Sequence, residues 1–176
     1  MRIVTGNLIS VCMLILATIV AEKAYLLTQP LRMIVLLICW FAMLYFSHCL
    51  SHYIVGRLLG IEFRYYFLSK SMLAKAGIPV ISKLFSAKLF LTLKLAEKPK
   101  GWRGFAMFIA GPLASMLSPL LIVAIAYGYD ARSAELLLAL TIFNAIFTGY
   151  FSTKHGCIRK ALDCVNLVNP RSNSIA

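Results

Sequence analysis

Residues 31–55 read LRMIVLLICWFAMLYFSHCLSHYIV, with Arg32 the one formally charged side chain before the block closes at Arg57. A helix needs about 20 mostly apolar residues to cross a bilayer. This run exceeds that, so it predicts a spanning helix, and one that carries His48 and His52 near its end. Three further blocks of the same kind surround it: residues 4–21, between Arg2 and the Glu22–Lys23 pair, then 102–127 and 133–151. Hydrophobic residues make up 61% of the chain and charged residues 14%, against roughly 45–50% and about 25% in soluble domains. An excess gathered in blocks excludes an ordinary soluble globule, a disordered chain and a collagen-like one. The first block has the length of a signal peptide. A cut after Ala21, however, would put Ile19 where a small residue is wanted, so it reads as an anchor. The expected fold is a single membrane domain over residues 1–176: mostly α, polytopic, with about four transmembrane helices.

The net charge of +12 invites nucleic acid. The basic residues flank apolar blocks and form no dense patch, so the expected partner is the lipid bilayer and not nucleic acid. Arg57 to Arg103 holds ten Lys and Arg against two acids, Glu62 and Glu97. With Arg2 and with Lys154, Arg159, Lys160 and Arg171 of the tail, 15 of the 18 basic residues fall on one side. Lys23, Arg32 and Arg132 remain on the other. The positive-inside rule then places both termini, the loop 60–101 and the tail 152–176 in the cytoplasm, and only a count of four spans makes that partition alternate correctly. Within the loop, Phe63, Tyr65 and Phe67 alternate, and so do the leucines of Leu89-Phe90-Leu91-Thr92-Leu93-Lys94-Leu95. Period-2 patterns predict strands with one apolar face, hence a small sheet or hairpin at the cytoplasmic face, with an interfacial helix as the alternative. The tail from Asn166 onward is polar and is expected to be loose.

The chain has three histidines. His48 and His52, at i and i+4, share one helix face and can bind one metal ion between them. Hydrogen-bonded interior histidines are the plainer alternative. His155 follows the fourth span and returns to the same membrane depth. Three histidines with an open fourth position are a known zinc arrangement, while a solvated tail residue is the competing reading of His155. The five cysteines, Cys12, Cys39, Cys49, Cys157 and Cys164, lack the spacing of a disulfide framework and are expected to be free thiols.

The stretch from His48-Cys49-Leu50-Ser51-His52-Tyr53 to Arg57-Leu58-Leu59-Gly60 resembles the first motif of the site-2 proteases, a family of intramembrane zinc metalloproteases. Its pattern is H-E-x-x-H, an aromatic residue and a basic run into Leu-Gly. Trp102-Arg103-Gly104-Phe105, followed by Ala110-Gly111-Pro112-Leu113-Ala114-Ser115, is similar to the family's central helix, with Ser115 where Asn is usual. Asn144 and the stretch from Thr153 to Leu162 resemble its last motif more loosely.

The resemblance implies a site-2-protease-like fold around a hydrophilic pocket, a strand edge that receives an unwound segment, and His48 and His52 as zinc ligands. It also exposes departures. Cys49 stands at the position of the general base, and Lys154 at that of the carboxylate ligand. Gly111, Pro112, Ser115, Asn144 and Lys154 are expected to line or pack the pocket. A zinc enzyme without its base loses about 10²–10⁴-fold in rate. The expected protein is therefore a non-catalytic relative that binds a membrane partner or serves as a subunit of a membrane complex. The alternative is an atypical zinc protease that uses His48, His52 and His155.

Overall fold

The computed structural model of the chain describes residues 1–69, 90–97 and 99–166. Helix α1 is Ile3–Lys23, prolonged by a 3-10 turn at Ala24–Leu26, and α2 is Leu31–Leu58. The third span is split into α3, Gly101–Leu117, and α4, Pro119–Tyr127, and α5 is Ala131–His155. Four helical segments, Ile3–Leu26, Leu31–Leu58, Gly101–Tyr127 and Ala131–Lys154, are long and apolar enough to cross a membrane. These are the four blocks predicted from apolarity, with every end within five residues of its expected place.

Small residues let α1 approach its neighbours. Its buried positions are Gly6, Ser10, Ala17 and Ala21, a stripe of the kind that packs helices in lipid, where no hydrophobic force drives them together. Trp40, Leu36 and Met43 of α2 meet Ile122, Val123 and Ala126 of α4 and Ala134 and Leu137 of α5 in the core. The Trp40 indole N–H donates to Thr141 Oγ1 at 2.8 Å, which satisfies a polar atom that the core would otherwise strand. The third span breaks where Pro119, at the first position of α4, offers no N–H. Ser118 at the joint lies with its Oγ 2.8 Å from Ser47 Oγ and 3.1 Å from Met43 O on α2.

A polar clamp closes one end of the bundle. Asp130 caps α5 by accepting from Ser133 N at 3.2 Å and Ser133 Oγ at 2.8 Å. Gln29 Nε2 donates to it at 2.6 Å, and Arg32 pairs with it at 3.3 Å. The Ser133 hydrogen bonds, aided by Arg32, hold the Asp130 carboxyl below the usual carboxylate range.

At the other end, β1 (Phe63–Ser69) and β2 (Phe90–Leu95) form an antiparallel hairpin. The strands stand where alternation placed them, but the packed face is the other one. Tyr66 is fully buried, whereas Tyr65 and Phe67 are exposed. The register slips between Phe63, opposite Leu95, and Tyr65, opposite Lys94, so Arg64 is bulged out and the later side chains change faces. Tyr66 fixes the hairpin to α1. Its hydroxyl donates to Asn7 Oδ1 at 2.7 Å, and its backbone exchanges hydrogen bonds with Met1 at 2.9 and 3.0 Å. Its ring lies so close to Gly6 that a methyl there would overlap it. Residues 70–89, including Leu89, and the tail beyond Asn166 lie outside the described residues.

The sequence reading assigned no structure to the start of the tail. There, Gly156 ends α5 and a last helix, α6, runs from Cys157 to Asn166. Ser152 Oγ accepts from Ile158 N at 3.1 Å across the break. Ala161 and Cys164 are buried, and Cys164 faces Gly104 of α3. A short amphipathic helix is thereby laid along α3. None of the five cysteines is in a disulfide.

Candidate metal centre

The centre lies where α2, α3 and α6 meet. His48 and His52 sit on one face of α2, with ring centroids 4.8 Å apart and planes nearly perpendicular. Their helical spacing brings them together, and the small residues of α3 admit them. At Gly111 an added Cβ would meet Nε2, Cε1 and Cδ2 of His52 at similar range. That position is over the ring face, off the in-plane lone pair. His52 is buried and His48 partly so.

Hydrogen bonds fix which nitrogen each ring presents. His52 Nδ1 is 2.6 Å from Met107 O; a carbonyl only accepts, so Nδ1 carries the proton and Nε2 the lone pair. His48 Nδ1 is 3.3 Å from Ser115 Oγ, whose own proton points back to the Pro112 or Gly111 carbonyl, at 3.0 and 3.2 Å. The hydroxyl thus accepts from His48 Nδ1, and again Nε2 is left as the donor atom for a metal. This is how metal-binding histidines are ordinarily oriented from behind. Asn144 supports the arrangement from α5, its Nδ2 donating to Ser115 O at 3.1 Å.

The third donor is Cys157. Its Sγ lies 3.7 Å from His48 Nε2, and the three ligand atoms of His48, His52 and Cys157 all fall within 4.8 Å of one another. Tetrahedral zinc, with bonds of about 2.0–2.1 Å to nitrogen and about 2.3 Å to sulfur, requires an N···S separation of about 3.6 Å. The His48–Cys157 pair is therefore spaced for a shared metal, while the widest separation in the trio, 4.8 Å, would have to close by about 1 Å to reach tetrahedral geometry. Burial pushes the Cys157 thiol up, and Lys160 pulls it back down; a bound cation would remove the proton outright.

The predicted site residues are distributed as follows. His48 and His52 are together. Gly111, Pro112 and Ser115 are buried beside them, and Asn144 reaches them through Ser115. Cys49, at the general-base position, is buried on the same helix one residue from His48. Lys154 is turned to the surface, its Nζ donating to Tyr150 OH at 2.6 Å, and takes no part. His155 ends α5, but its side chain lies outside the described residues. Cys157, the third candidate ligand, has no counterpart in the sequence reading because it stands in the stretch assigned to the tail. The available signal was Gly156 followed by Cys157, Ala161 and Cys164, an i, i+4, i+7 stripe that predicts a helix with an inward face. The chain matches no family model, no curated protein and no solved structure.

Proposed function

We propose that this chain is a site-2-protease-like membrane protein whose centre holds zinc through His48, His52 and Cys157 and does not hydrolyse peptides. It acts as a binding partner or subunit of other membrane proteins. The observation that carries the reading is the trio itself: two imidazoles whose Nδ1 atoms are engaged from behind, and a thiol 3.7 Å from the free nitrogen of one of them. Bound zinc would supply a Lewis acid. Among the described residues, the positions that carry the carboxylates in the resembled enzymes supply no proton shuttle: Cys49 is a buried thiol, and Lys154 faces away. A thiolate in place of a carboxylate ligand also quenches more of the metal's charge. Both changes favour a structural or ligand-holding centre over hydrolysis. The distribution of basic residues supports an orientation with both termini, the hairpin and α6 on the cytoplasmic side.

The test is zinc per chain, measured by elemental mass spectrometry on protein purified without a histidine-rich tag. Near-stoichiometric zinc is expected in the unaltered chain, and loss of it in Cys157→Ser and His52→Ala. Full zinc in Cys157→Ser together with loss in His155→Ala would transfer the third ligand to His155 and reopen the protease reading. A single-span reporter is expected to stay intact; its cleavage by the unaltered chain, abolished by His48→Ala, would refute the non-hydrolytic assignment.

A further inference from the structure

A divalent ion held by one thiolate and two neutral imidazoles keeps a net positive charge, and a buried charge requires a partner. No acidic side chain of the protein offers one. All six acidic residues are described, and none joins the ligand group. Glu22, Asp130 and Glu135 belong to the far ends of the spans, Glu62 and Glu97 flank the hairpin, and Asp163 is paired with Arg159 at 3.2 Å. A second positive charge stands close by instead. Lys160 lies one turn along α6 from Cys157, and its Nζ is 5.8 Å from the centre of the Phe108 ring. That ring in turn is 6.3 Å from the His52 ring. Lys160 is exposed and three positions along the same helix from Cys157, so its charge is available to a ligand that reaches the centre from the α6 side.

The geometry points to a site for a carboxylate ligand, one oxygen completing the metal's coordination at the fourth position and the other held by Lys160. This rests on the metal centre proposed above and names what it binds. The two-oxygen anion supplies the charge that a buried carboxylate of this chain would otherwise bring, and it enters from the side on which α6 lies. Lys160 is a binding residue for the ligand and not a metal ligand, so the two roles are separable.

The experiment loads the full-length purified protein with Co²⁺ in place of zinc, quantifies bound cobalt in every sample, and titrates acetate while recording the cobalt d–d bands. Acetate is expected to shift the bands saturably. Lys160→Met is expected to weaken acetate about fivefold, the scale of a solvent-accessible charge pair, and Lys160→Arg to restore most of it. Arg159→Met, next in sequence but paired to Asp163, should bind acetate as the unaltered chain does. Cobalt bound with bands that acetate does not move would overturn the carboxylate site and leave the metal centre standing. A chain that binds no cobalt would overturn both. Inorganic phosphate moving the bands where acetate does not, or equal acetate affinity in Lys160→Met, would overturn the assignment of ligand class or of Lys160.

Discussion

At the residue scale, the proposed centre depends on side chains that would never touch a bound metal. Ser115 holds His48 by its Nδ1, and such supporting partners typically contribute 10–100-fold to metal affinity. Ser115→Ala should therefore cost at least about tenfold in zinc affinity, read by competition with a chromophoric chelator. Unchanged affinity would mean that the hydroxyl does not orient the ring. Gly111 makes a sharper case, because it is a steric requirement of His52 and not of the helix. In Gly111→Ala the new methyl meets the imidazole, so the ring must leave its place. Zinc content should fall while the helical content measured by circular dichroism stays near that of the unaltered chain. A variant with full zinc would show that the ring has room to move. Sequence reasoning reached His48, His52, Gly111 and Ser115 because each lies within a contiguous motif. It chose His155 over Cys157 for a chemical reason: histidine suggests a ligand by identity, whereas a cysteine near a span is usually a small hydrophobe. Only the turn at Gly156 brings Cys157 to the centre.

At the scale of elements, two contacts set how the pieces are held. Asp130 joins the start of α5 to α2 through Arg32 and Gln29. Its carboxyl is depressed below the ordinary value, so its ionised form is favoured by the fold. The stability it lends is fully present above the unfolded-state pKa of about 3.9 and is lost as pH falls through the lower folded value. Thermal unfolding in detergent between pH 6 and pH 2 should show this acid-dependent loss in the unaltered chain and a smaller one in Asp130→Asn. Equal slopes would refute the linkage. Tyr66 joins the hairpin to α1. Tyr66→Phe, which removes the bond to Asn7, is expected to cost about 1 kcal/mol, and Tyr66→Ala about 3–5 kcal/mol. In the alanine variant, limited proteolysis within residues 70–89 should accelerate; an unchanged rate would show that the hairpin is held by other contacts. The strands themselves were legible from alternation, but their packed face was not. The bulge at Arg64 is a single-residue event, and period-2 reading carries no information about it.

At the scale of the whole molecule, the spans were the most legible feature, because crossing a bilayer requires apolar length and length is written directly in the sequence. Helix α6 escaped notice for the converse reason: ten residues with a half-polar face are too short and too mixed to stand out beside four apolar blocks. Orientation follows from a different physical quantity, the placement of positive charge. Arg32 and Arg132 lie at the α2 and α5 starts, on the end closed by Asp130, whereas Arg57, Arg64, Lys94, Lys100, Arg103, Lys154, Arg159 and Lys160 gather at the end that holds the hairpin and α6. Basic residues resist translocation, so the hairpin end should be the cytoplasmic one, and the candidate metal centre lies at that end. Glu22→Cys and Arg132→Cys should then react with a membrane-impermeant maleimide on intact cells, above the labelling of the unsubstituted chain. Lys100→Cys and Arg159→Cys should react only after permeabilisation. The opposite pattern would invert the molecule and direct Lys160, with any carboxylate it recruits, to the outside. Labelling of Glu22→Cys and Lys100→Cys from the same side would break the alternation that four spans require.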